Sequence, residues 1–267
     1  GQTALLLAGD RFPHAELRRA ASLYGSSSPS YPMMACLDLC RAWMEEEGAA
    51  AYRAAARQVA VARDEAFCFY YEDNLDELRR AGARLAFFRP TQDQTLPEGT
   101  CGLYLGGGYP ELHARALSEN RAMGEAVRRA VLDGMPTLAE CGGFLYLQST
   151  LEDGEGTPWP MAGVLDGEGF KTSRLQRFGY VTLTAQKDSP YLKQGETVAA
   201  HEFHRWDCTR NGELCRTRRP SGGEGWNCMV EQGNLLAGFP HLYFPSNPQF
   251  AARFVAACRQ YQERNAL

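Results

Sequence analysis

Short apolar blocks alternate with longer amphipathic stretches between residue 59 and residue 147. Apolar blocks that end at Gly, Pro or a charged residue are typical of buried strands, whereas apolar residues three or four positions apart are typical of helices. This pattern predicts strands at 59–62, 84–88, 102–105 and 135–139 and helices at 74–81, 118–133 and after residue 143. The alternation predicts an α/β fold, a mainly parallel, doubly wound (flavodoxin-like) sheet with helices on both faces.

The sequence changes character on either side of this region. After residue 160 the apolar segments are shorter and are joined by polar loops, as at 180–183 and 197–201, which predicts antiparallel strands added to the same sheet. Before residue 59 the chain is rich in Ala, Arg, Glu and Met, which are good helix formers. We therefore predict three regions, a mostly helical appendage at 1–58, a domain at 59–262 and a tail at 263–267.

Composition narrows the classes of protein. Of the 267 residues, 44% are hydrophobic and 22% are charged, as in folded globular proteins. The 28 Lys and Arg and 32 Asp and Glu give a net charge of −4, so we expect no nucleic-acid partner. No apolar run reaches the roughly 20 residues that span a bilayer, and no signal-peptide pattern is seen. Nine cysteines without a C-x-x-C pair then predict reduced thiols in a cytoplasmic protein without membrane attachment.

Lysine is confined to the later part of the chain, at Lys171, Lys187 and Lys193. A P-loop needs a lysine that contacts phosphate, and pyridoxal phosphate enzymes need a lysine for the Schiff base. Both chemistries are therefore excluded from the first 170 residues.

Cys141 lies in a setting that favours a nucleophile. It follows the predicted strand 135–139 and Glu140, and Gly142 and Gly143 follow it before the next helix begins. A sharp turn from strand to helix exposes a side chain at its apex, and the helix N-terminus offers N–H groups that stabilise a thiolate or an oxyanion. A buried structural cysteine at a tight turn is the alternative.

Two further segments bear on this choice. Residues 105–110 (LGGGYP) end another predicted strand in a glycine-rich loop, which is either a plain turn or a source of N–H groups for an oxyanion. His241 lies in a late loop, where it is either a structural histidine or the general base for Cys141.

Other polar clusters carry weaker signals. The H-x-x-H spacing of His201 and His204 differs from the i, i+4 spacing of helical zinc ligands, so we predict no metal site. Polar residues also follow the first predicted strand, where they serve either ordinary loop hydrogen bonds or a channel or partner interface. The candidates for such an interface are Arg63, Asp64, Tyr71, Asn74, Arg177, His201, Glu202 and His204.

From about residue 59 to residue 262 the sequence resembles the glutamine amidotransferase domain of cobyrinic acid a,c-diamide synthases, a class I (triad-type) glutaminase. The matching strings occur in the family's order and cover about three quarters of the chain. They are residues 61–67 with 69–71 and Asn74, 105–112, 139–143, 175–180, 201–204, and 241–244 with 247–248.

The resemblance implies a class I glutaminase architecture and assigns roles to the site. Cys141 would attack the side-chain amide of L-glutamine to form a thioester, and His241 would activate the thiol and protonate the departing ammonia. The N–H of Gly142 and one from Gly107 or Gly108 would hold the oxyanion. Many class I glutaminases carry a Glu two residues after the histidine, where this chain has Tyr243; the cobyrinate branch also lacks that Glu.

The resemblance also implies partners. The ammonia would amidate the a and c carboxylates of a corrinoid precursor in cobalamin biosynthesis. The ATP and Mg²⁺ for that step would bind a synthetase domain with a P-loop, which this sequence lacks, and we expect no cofactor in this domain. The alternatives are an amidotransferase for another acceptor, such as sirohydrochlorin or a muropeptide, and a non-catalytic regulatory or fusion remnant.

Residues 1–58 resemble a fragment of the pyridoxal phosphate-dependent Orn/Lys/Arg decarboxylase family. The similarity rests on residues 3–8, the Ser- and Pro-rich loop at 26–31 and the start of the helical stretch at 33–40. The stretch matches the part just after that family's Schiff-base lysine, and the lysine is not present. We therefore expect no decarboxylase activity.

Overall fold

A computed structural model describes residues 38–43, 45 and 57–265. The chain divides into two compact units, Gly1–Ala55 and Ala56–Leu267. In the first unit residues 38–43 are helical, and Arg41 bonds Asp38 and Glu45 at 3.0 and 2.6 Å, as expected for helical neighbours. The other residues of the predicted appendage up to residue 56 lie outside the described residues. Most of the stretch that resembles the decarboxylase family is among them.

The second unit contains the predicted α/β elements. Its strands are β1 (Arg57–Ala62), β2 (Ala83–Phe88), β3 (Thr100–Leu105), β4 (Thr137–Glu140), β5 (Thr150–Glu152), β6 (Pro158–Pro160), β7 (Glu168–Lys171), β8 (Arg177–Ala185), β9 (Thr197–His204), β10 (Trp206–Cys208), β11 (Cys215–Arg218), β12 (Asn227–Cys228), β13 (Val230–Gln232), β14 (Leu235–Gly238) and β15 (His241–Tyr243). Its helices are α1 (Glu72–Arg80), α2 (Ala114–Glu119), α3 (Arg121–Leu132), α4 (Gly142–Tyr146) and α5 (Pro248–Asn265).

The central sheet is mainly parallel, as predicted. Its strand order is β13-β14-β4-β3-β1-β2, and every neighbouring pair is parallel except β13 with β14. The carboxyl ends of β3, β4 and β14 therefore meet at one edge. Ligands and catalytic groups of open α/β sheets are found at this edge.

Helices cover both faces of this sheet, which confirms the doubly wound arrangement. Val59 and Val61 of β1 belong to a core with residues of α1 and α5, whereas Ala60 and Ala62 belong to a second core with residues of α3 and α4. Successive side chains of a strand point to opposite faces, so a strand buried on both faces is apolar throughout.

Antiparallel strands are present after residue 160, as predicted, and β13 joins the central sheet. The strands predicted at 180–183 and 197–201 instead lie in a separate sheet of the order β12-β11-β8-β9-β15, and a third sheet has the order β10-β7-β5-β6. Alternating polar and apolar residues identify a strand but not its neighbour. The helix predicted at 118–133 is divided at Asn120, whose side-chain amide donates to Pro90 O at 2.8 Å and Asp93 O at 2.9 Å. None of the helices in the described ranges is both long and apolar enough to cross a bilayer.

Candidate active site

Cys141 stands at a tight turn between β4 and α4. Its backbone has φ 47° and ψ −102°, in the region that favours glycine. The Cys141 N–H donates to Gly238 O at 2.8 Å, and the Cys141 carbonyl accepts from Leu145 N at 2.9 Å. A non-glycine residue held in this conformation directs its side chain away from the sheet, as the nucleophile prediction requires.

The two glycines after Cys141 allow the turn to pack against the loop that follows β3. A Cβ atom on Gly142 would lie 2.9 Å from Pro110 Cδ and 3.1 Å from Gly108 N. A Cβ atom on Gly143 would overlap the carbonyl of Leu105, and the Gly143 N–H already donates to Gly106 O at 2.9 Å. The glycine-rich loop and the cysteine turn are therefore in direct contact.

The glycines of the β3 loop differ in what their N–H groups bind. The Gly107 N–H donates to Phe69 O at 3.2 Å, which favours Gly108 of the two glycines predicted as oxyanion donors. Gly107 instead makes room, because a Cβ atom there would overlap the His241 imidazole. Gly108 has φ 155°, and its N lies beside Gly142.

His241 opens β15 and is 5% exposed. Its ring packs at 4.5 Å from the Phe69 ring, and its register partner on β9 is His201. Its Nδ1 is buried and has no hydrogen-bond partner among the described residues. The ring is therefore oriented by packing and by the backbone of β15.

Backbone and side-chain hydrogen bonds bring the elements of Cys141 and His241 to the same sheet edge. Glu140, directly before Cys141, accepts the N–H of Leu242, directly after His241, at 3.0 Å. The β14 residue opposite Glu140 is Gly238, which also accepts from Cys141 N. Both predicted catalytic residues thus stand next to residues that are bonded to each other.

Burial keeps both groups neutral. Burial, with Glu111 nearby, raises the pKa of the Cys141 thiol to about 12, although the Gly142 N–H acts in the opposite direction. Burial, together with His201 and His204, lowers the pKa of His241 to about 3. At neutral pH the pair is therefore a thiol and an uncharged imidazole that can accept a proton.

Cys141 opens into a cleft of about 470 Å³. Two charged side chains of opposite sign line it, Glu111 and Arg205. Burial raises the pKa of Glu111 to about 7. The remaining lining residues are Gly108, Tyr109, Leu145, Leu175, Phe203, His204 and Trp206.

The candidates that follow β1 are not all at the surface. Arg63 is exposed and pairs with Glu72 at 3.4 Å. Asp64 accepts from the N–H groups of its own loop at 3.0 and 3.1 Å and from Thr91, which is the loop role considered as the alternative. Tyr71 is half-buried. Asn74 is fully buried and bonds the backbone of β15, so it does not offer a surface for a partner.

Of the candidates on β8 and β9, His204 lines the cleft. Arg177 lies 4.7 Å above the Trp226 ring, and His201 is the register partner of His241. Glu202 is 1% exposed and accepts from Trp226 Nε1 at 3.3 Å, so it too is no surface residue. His204 lines the cleft, where its Nδ1 donates to Trp206 O at 2.7 Å.

Sequence reasoning missed two carboxyl groups of the site. Glu111 lines the cleft, and Arg115 four residues after it indicates only a surface ion pair at helical spacing. Glu140 joins the elements and has no charged residue two to four positions away. Within 38–43, 45 and 57–265 no group of three or more His, Cys, Asp or Glu is arranged to hold a metal ion.

Known proteins are similar to this chain over about three quarters of its length. Residues 58–249 match the family model of the CobB/CobQ-like glutamine amidotransferase domain. The chain is 42% identical over 206 residues to cobyrinate a,c-diamide synthase of Caldanaerobacter subterraneus subsp. tengcongensis, covering 76% of this chain and 46% of that protein. It is 44% identical over 204 residues to hydrogenobyrinate a,c-diamide synthase of Pseudomonas aeruginosa, covering 76% and 45%. The chain thus spans less than half the length of these relatives.

Solved structures show the same fold at low sequence identity. PurLQS of Thermotoga maritima matches with a TM-score of 0.50 at 15% identity, covering 76% of this chain and 98% of that chain. A structure described as a glutamine amidotransferase matches with a TM-score of 0.50 at 19% identity, covering 75% and 98%. These confirm the class I architecture, and with the family match they establish that the chain belongs to the CobB/CobQ-like glutamine amidotransferase domains.

Proposed function

We propose that this domain hydrolyses L-glutamine through Cys141 and supplies the ammonia to the ATP-dependent amidation of the a and c carboxylates of cobyrinic acid. The observation that carries the proposal is the strained turn that holds Cys141 at the edge of the sheet, where β15 brings His241. The relatives' names support the acceptor.

The neutral pair sets the order of proton transfers. His241 takes the Cys141 proton as the sulfur attacks the amide carbon of glutamine. The resulting imidazolium gives that proton to the amide nitrogen, and the C–N bond breaks. Ammonia departs, and a γ-glutamyl thioester remains on Cys141. Water, activated by His241, then cleaves the thioester to glutamate and restores the thiol. The sum is glutamine plus water to glutamate plus ammonia.

In this proposal two backbone N–H groups stabilise the oxyanion that forms as the sulfur attacks. The N–H of Gly142 begins α4 and faces the Cys141 sulfur, and Gly108 N lies beside Gly142. Donors fixed in advance stabilise the charge that develops in the transition state at little reorganisation cost. The pairing of Gly142 with Gly108 rather than Gly107 follows from the bond between Gly107 N and Phe69 O.

The charges of the cleft suit a free amino acid. The α-ammonium of glutamine matches the Glu111 carboxylate, and its α-carboxylate matches the exposed Arg205 guanidinium. The apolar part of the lining, including Leu145 and Phe203, matches the methylene groups of the substrate.

ATP and Mg²⁺ belong to a synthetase domain in this proposal. Neither a P-loop nor a lysine occurs in the first 170 residues, and the described residues provide no cluster of metal ligands. In this proposal the amidation itself takes place on that domain. The relatives are more than twice as long as the part that matches, which leaves room in them for such a domain.

The test is cysteine-dependent turnover of glutamine. We expect glutamate release and covalent labelling of Cys141 by a diazoketone analogue of glutamine, detected by peptide mass spectrometry. Cys141→Ser should abolish both, and His241→Asn should lower kcat by at least about a hundredfold. Equal glutamate release by wild type and Cys141→Ser would remove the catalytic assignment.

A further inference from the structure

The strand that carries His241 lies at the edge of its sheet. β15 is last in the order β12-β11-β8-β9-β15, and it has only three residues. Alternate residues of an antiparallel edge strand direct their N–H and C=O groups away from the neighbouring strand. In β15 this residue is Leu242. Its N–H and C=O groups bind side chains instead of another strand.

Two buried side chains take the place of a second neighbouring strand. Glu140 Oε1 accepts the N–H of Leu242 at 3.0 Å, and Asn74 Nδ2 donates to the carbonyl of Leu242 at 2.7 Å. Asn74 Oδ1 also accepts from Phe244 N at 2.8 Å. Glu140 is 1% exposed and Asn74 is 0% exposed, so water does not compete for these bonds.

The second oxygen of Glu140 connects a further element of the site. Glu140 Oε2 and the Tyr104 hydroxyl are 2.9 Å apart, and Tyr104 lies on β3, which leads into the glycine-rich loop. One carboxyl group thus joins β3, which leads into the glycine-rich loop, and β15, which carries His241. Its own backbone leads directly into Cys141.

The position of the His241 ring depends on these bonds. Its Nδ1 has no hydrogen-bond partner among residues 38–43, 45 and 57–265. The ring packs against Phe69 and fills the space that a side chain at Gly107 would occupy. Packing limits where the ring can tilt, but the distance from the ring to the sulfur is set by the backbone of β15. A misplacement of about 1 Å in such a pair can cost about a hundredfold in rate.

We propose that Glu140 is a positioning residue that holds the His241 strand at a fixed distance from Cys141 by bonding the Leu242 N–H. This proposal rests on the proposed glutaminase function for its kinetic consequence. What matters in this proposal is that the side chain of residue 140 is long enough to reach from β4 to β15. A glutamine at this position has the same length, and its amide offers an acceptor for the Leu242 N–H and a donor for the Tyr104 hydroxyl. Burial raises the pKa of Glu140 to about 8, so the neutral carboxyl that Gln imitates predominates at pH 7.

The experiment separates reach from charge with two variants of Glu140. Glu140→Gln keeps the length and loses the ionisable group, whereas Glu140→Asp keeps the ionisable group and is one methylene too short to reach Leu242. Thr137→Val is the matched control, because it removes a buried side-chain hydrogen bond at the other end of the same strand, 2.9 Å to Met135 O, without changing shape. All are made in the full chain and assayed at pH 7.

We expect Glu140→Asp to lower kcat for glutamine by about ten- to a hundredfold with KM within about twofold of wild type. Glu140→Gln should stay within about threefold of wild type in kcat, and Thr137→Val within about twofold, whatever their melting temperatures. The split between kcat and KM and the rescue by Gln distinguish positioning from a general loss of stability.

Hydrogen exchange tests the same contact without catalysis. The Leu242 amide should exchange faster in Glu140→Asp than in wild type, Glu140→Gln or Thr137→Val. Unchanged exchange at Leu242 in Glu140→Asp, or equal kcat losses in Asp and Gln, would overturn the proposal. If Cys141→Ser instead leaves turnover unchanged, the glutaminase function fails, and the exchange result still decides whether Glu140 holds β15.

Discussion

The proposed nucleophile, Cys141, is held in a backbone conformation that residues other than glycine rarely adopt. A φ of 47° at Cys141 costs on the order of 1–3 kcal/mol, and such a residue persists only where its surroundings fix it. The bonds of Cys141 N to Gly238 O and of Cys141 O to Leu145 N fix it at both ends. The strain is therefore part of the site, because it aims the thiol into the cleft.

The ionisation of Cys141 gives a prediction for its reactivity. Since burial raises the pKa of the thiol to about 12, the thiolate fraction should rise about tenfold for each pH unit from 7 to 10. Alkylation of Cys141 by iodoacetamide should follow this slope, as measured by peptide mass spectrometry. The exposed Cys68 reports on reagent delivery in the same sample. A rate at Cys141 that does not change from pH 7 to 9 would show that the thiolate is already formed at neutrality.

Glu111 gives a prediction for substrate selectivity. If its carboxylate binds the α-ammonium of glutamine, Glu111→Gln should raise KM about tenfold through the loss of a charge-assisted hydrogen bond, with a small effect on kcat. The variant should also lose the preference of wild type for glutamine over Nα-acetylglutamine. Glu119→Gln, which alters an exposed ion pair with Arg115, is the matched control and should leave both values unchanged. An unaltered preference in Glu111→Gln would contradict the assignment.

At the scale of elements, the sequence predicts what local patterns encode. β1 to β4, α1 and the helix after Cys141 were all expected, because buried parallel strands are apolar throughout and end at Gly, Pro or a charge. The break at Asn120 was missed because the amide is bonded to residues about 30 positions away. β14 was not predicted, although Gly233-Asn234 before it and Pro240 after it are turn signals that delimit its apolar residues.

The junction between α5 and the start of β9 gives a prediction about pH and stability. Arg253 bonds the Glu196 carboxylate at 2.5 and 2.8 Å and so lowers the pKa of Glu196 to about 2. A depressed carboxyl pKa contributes stability above about pH 4.5, and that contribution is lost as the pH falls towards 2. Because the pair is partly exposed, we expect only about 1 kcal/mol.

Urea unfolding of wild type and Glu196→Gln measures this contribution. The variant should be less stable than wild type at pH 7, and the difference should shrink as the pH is lowered from 5 to 3. Glu119→Gln, whose ion pair is more than half exposed, should show little difference at either pH. A difference for Glu196→Gln that grows on acidification would reverse the sign and exclude the pair as its source.

At the scale of the whole molecule, the site joins segments far apart in sequence, and this limits what local reasoning predicts. The turn at Cys141 and the glycine-rich loop have recognisable local patterns, whereas the residues alone leave His241 as either a structural histidine or the general base, and the family resemblance selects the second. Nothing in the sequence pairs Asn74 or Glu140 with Leu242, because a side chain that bonds a distant backbone group has no spacing rule.

The division of the chain gives a prediction for a shortened protein. Among the described residues, those of the two cores lie at or after Val59, and the family match begins at residue 58, so the Ala56–Leu267 unit contains the described core and the candidate site. A protein of residues 56–267 should therefore unfold cooperatively, keep Cys141 labelling by the diazoketone analogue, and match the full chain in kcat within about twofold.

A second deletion provides a comparison in which folding should be lost. α5 contributes Phe250, Phe254 and Cys258 to the core that covers one face of the sheet, so a protein of residues 56–247 should lose cooperative unfolding and labelling together. Burial of those side chains is worth several kcal/mol, comparable to the net stability of a domain. Loss of labelling in 56–267 as well would mean that the site needs residues 1–55. Retention in 56–247 would mean that α5 is not required for the fold that holds Cys141.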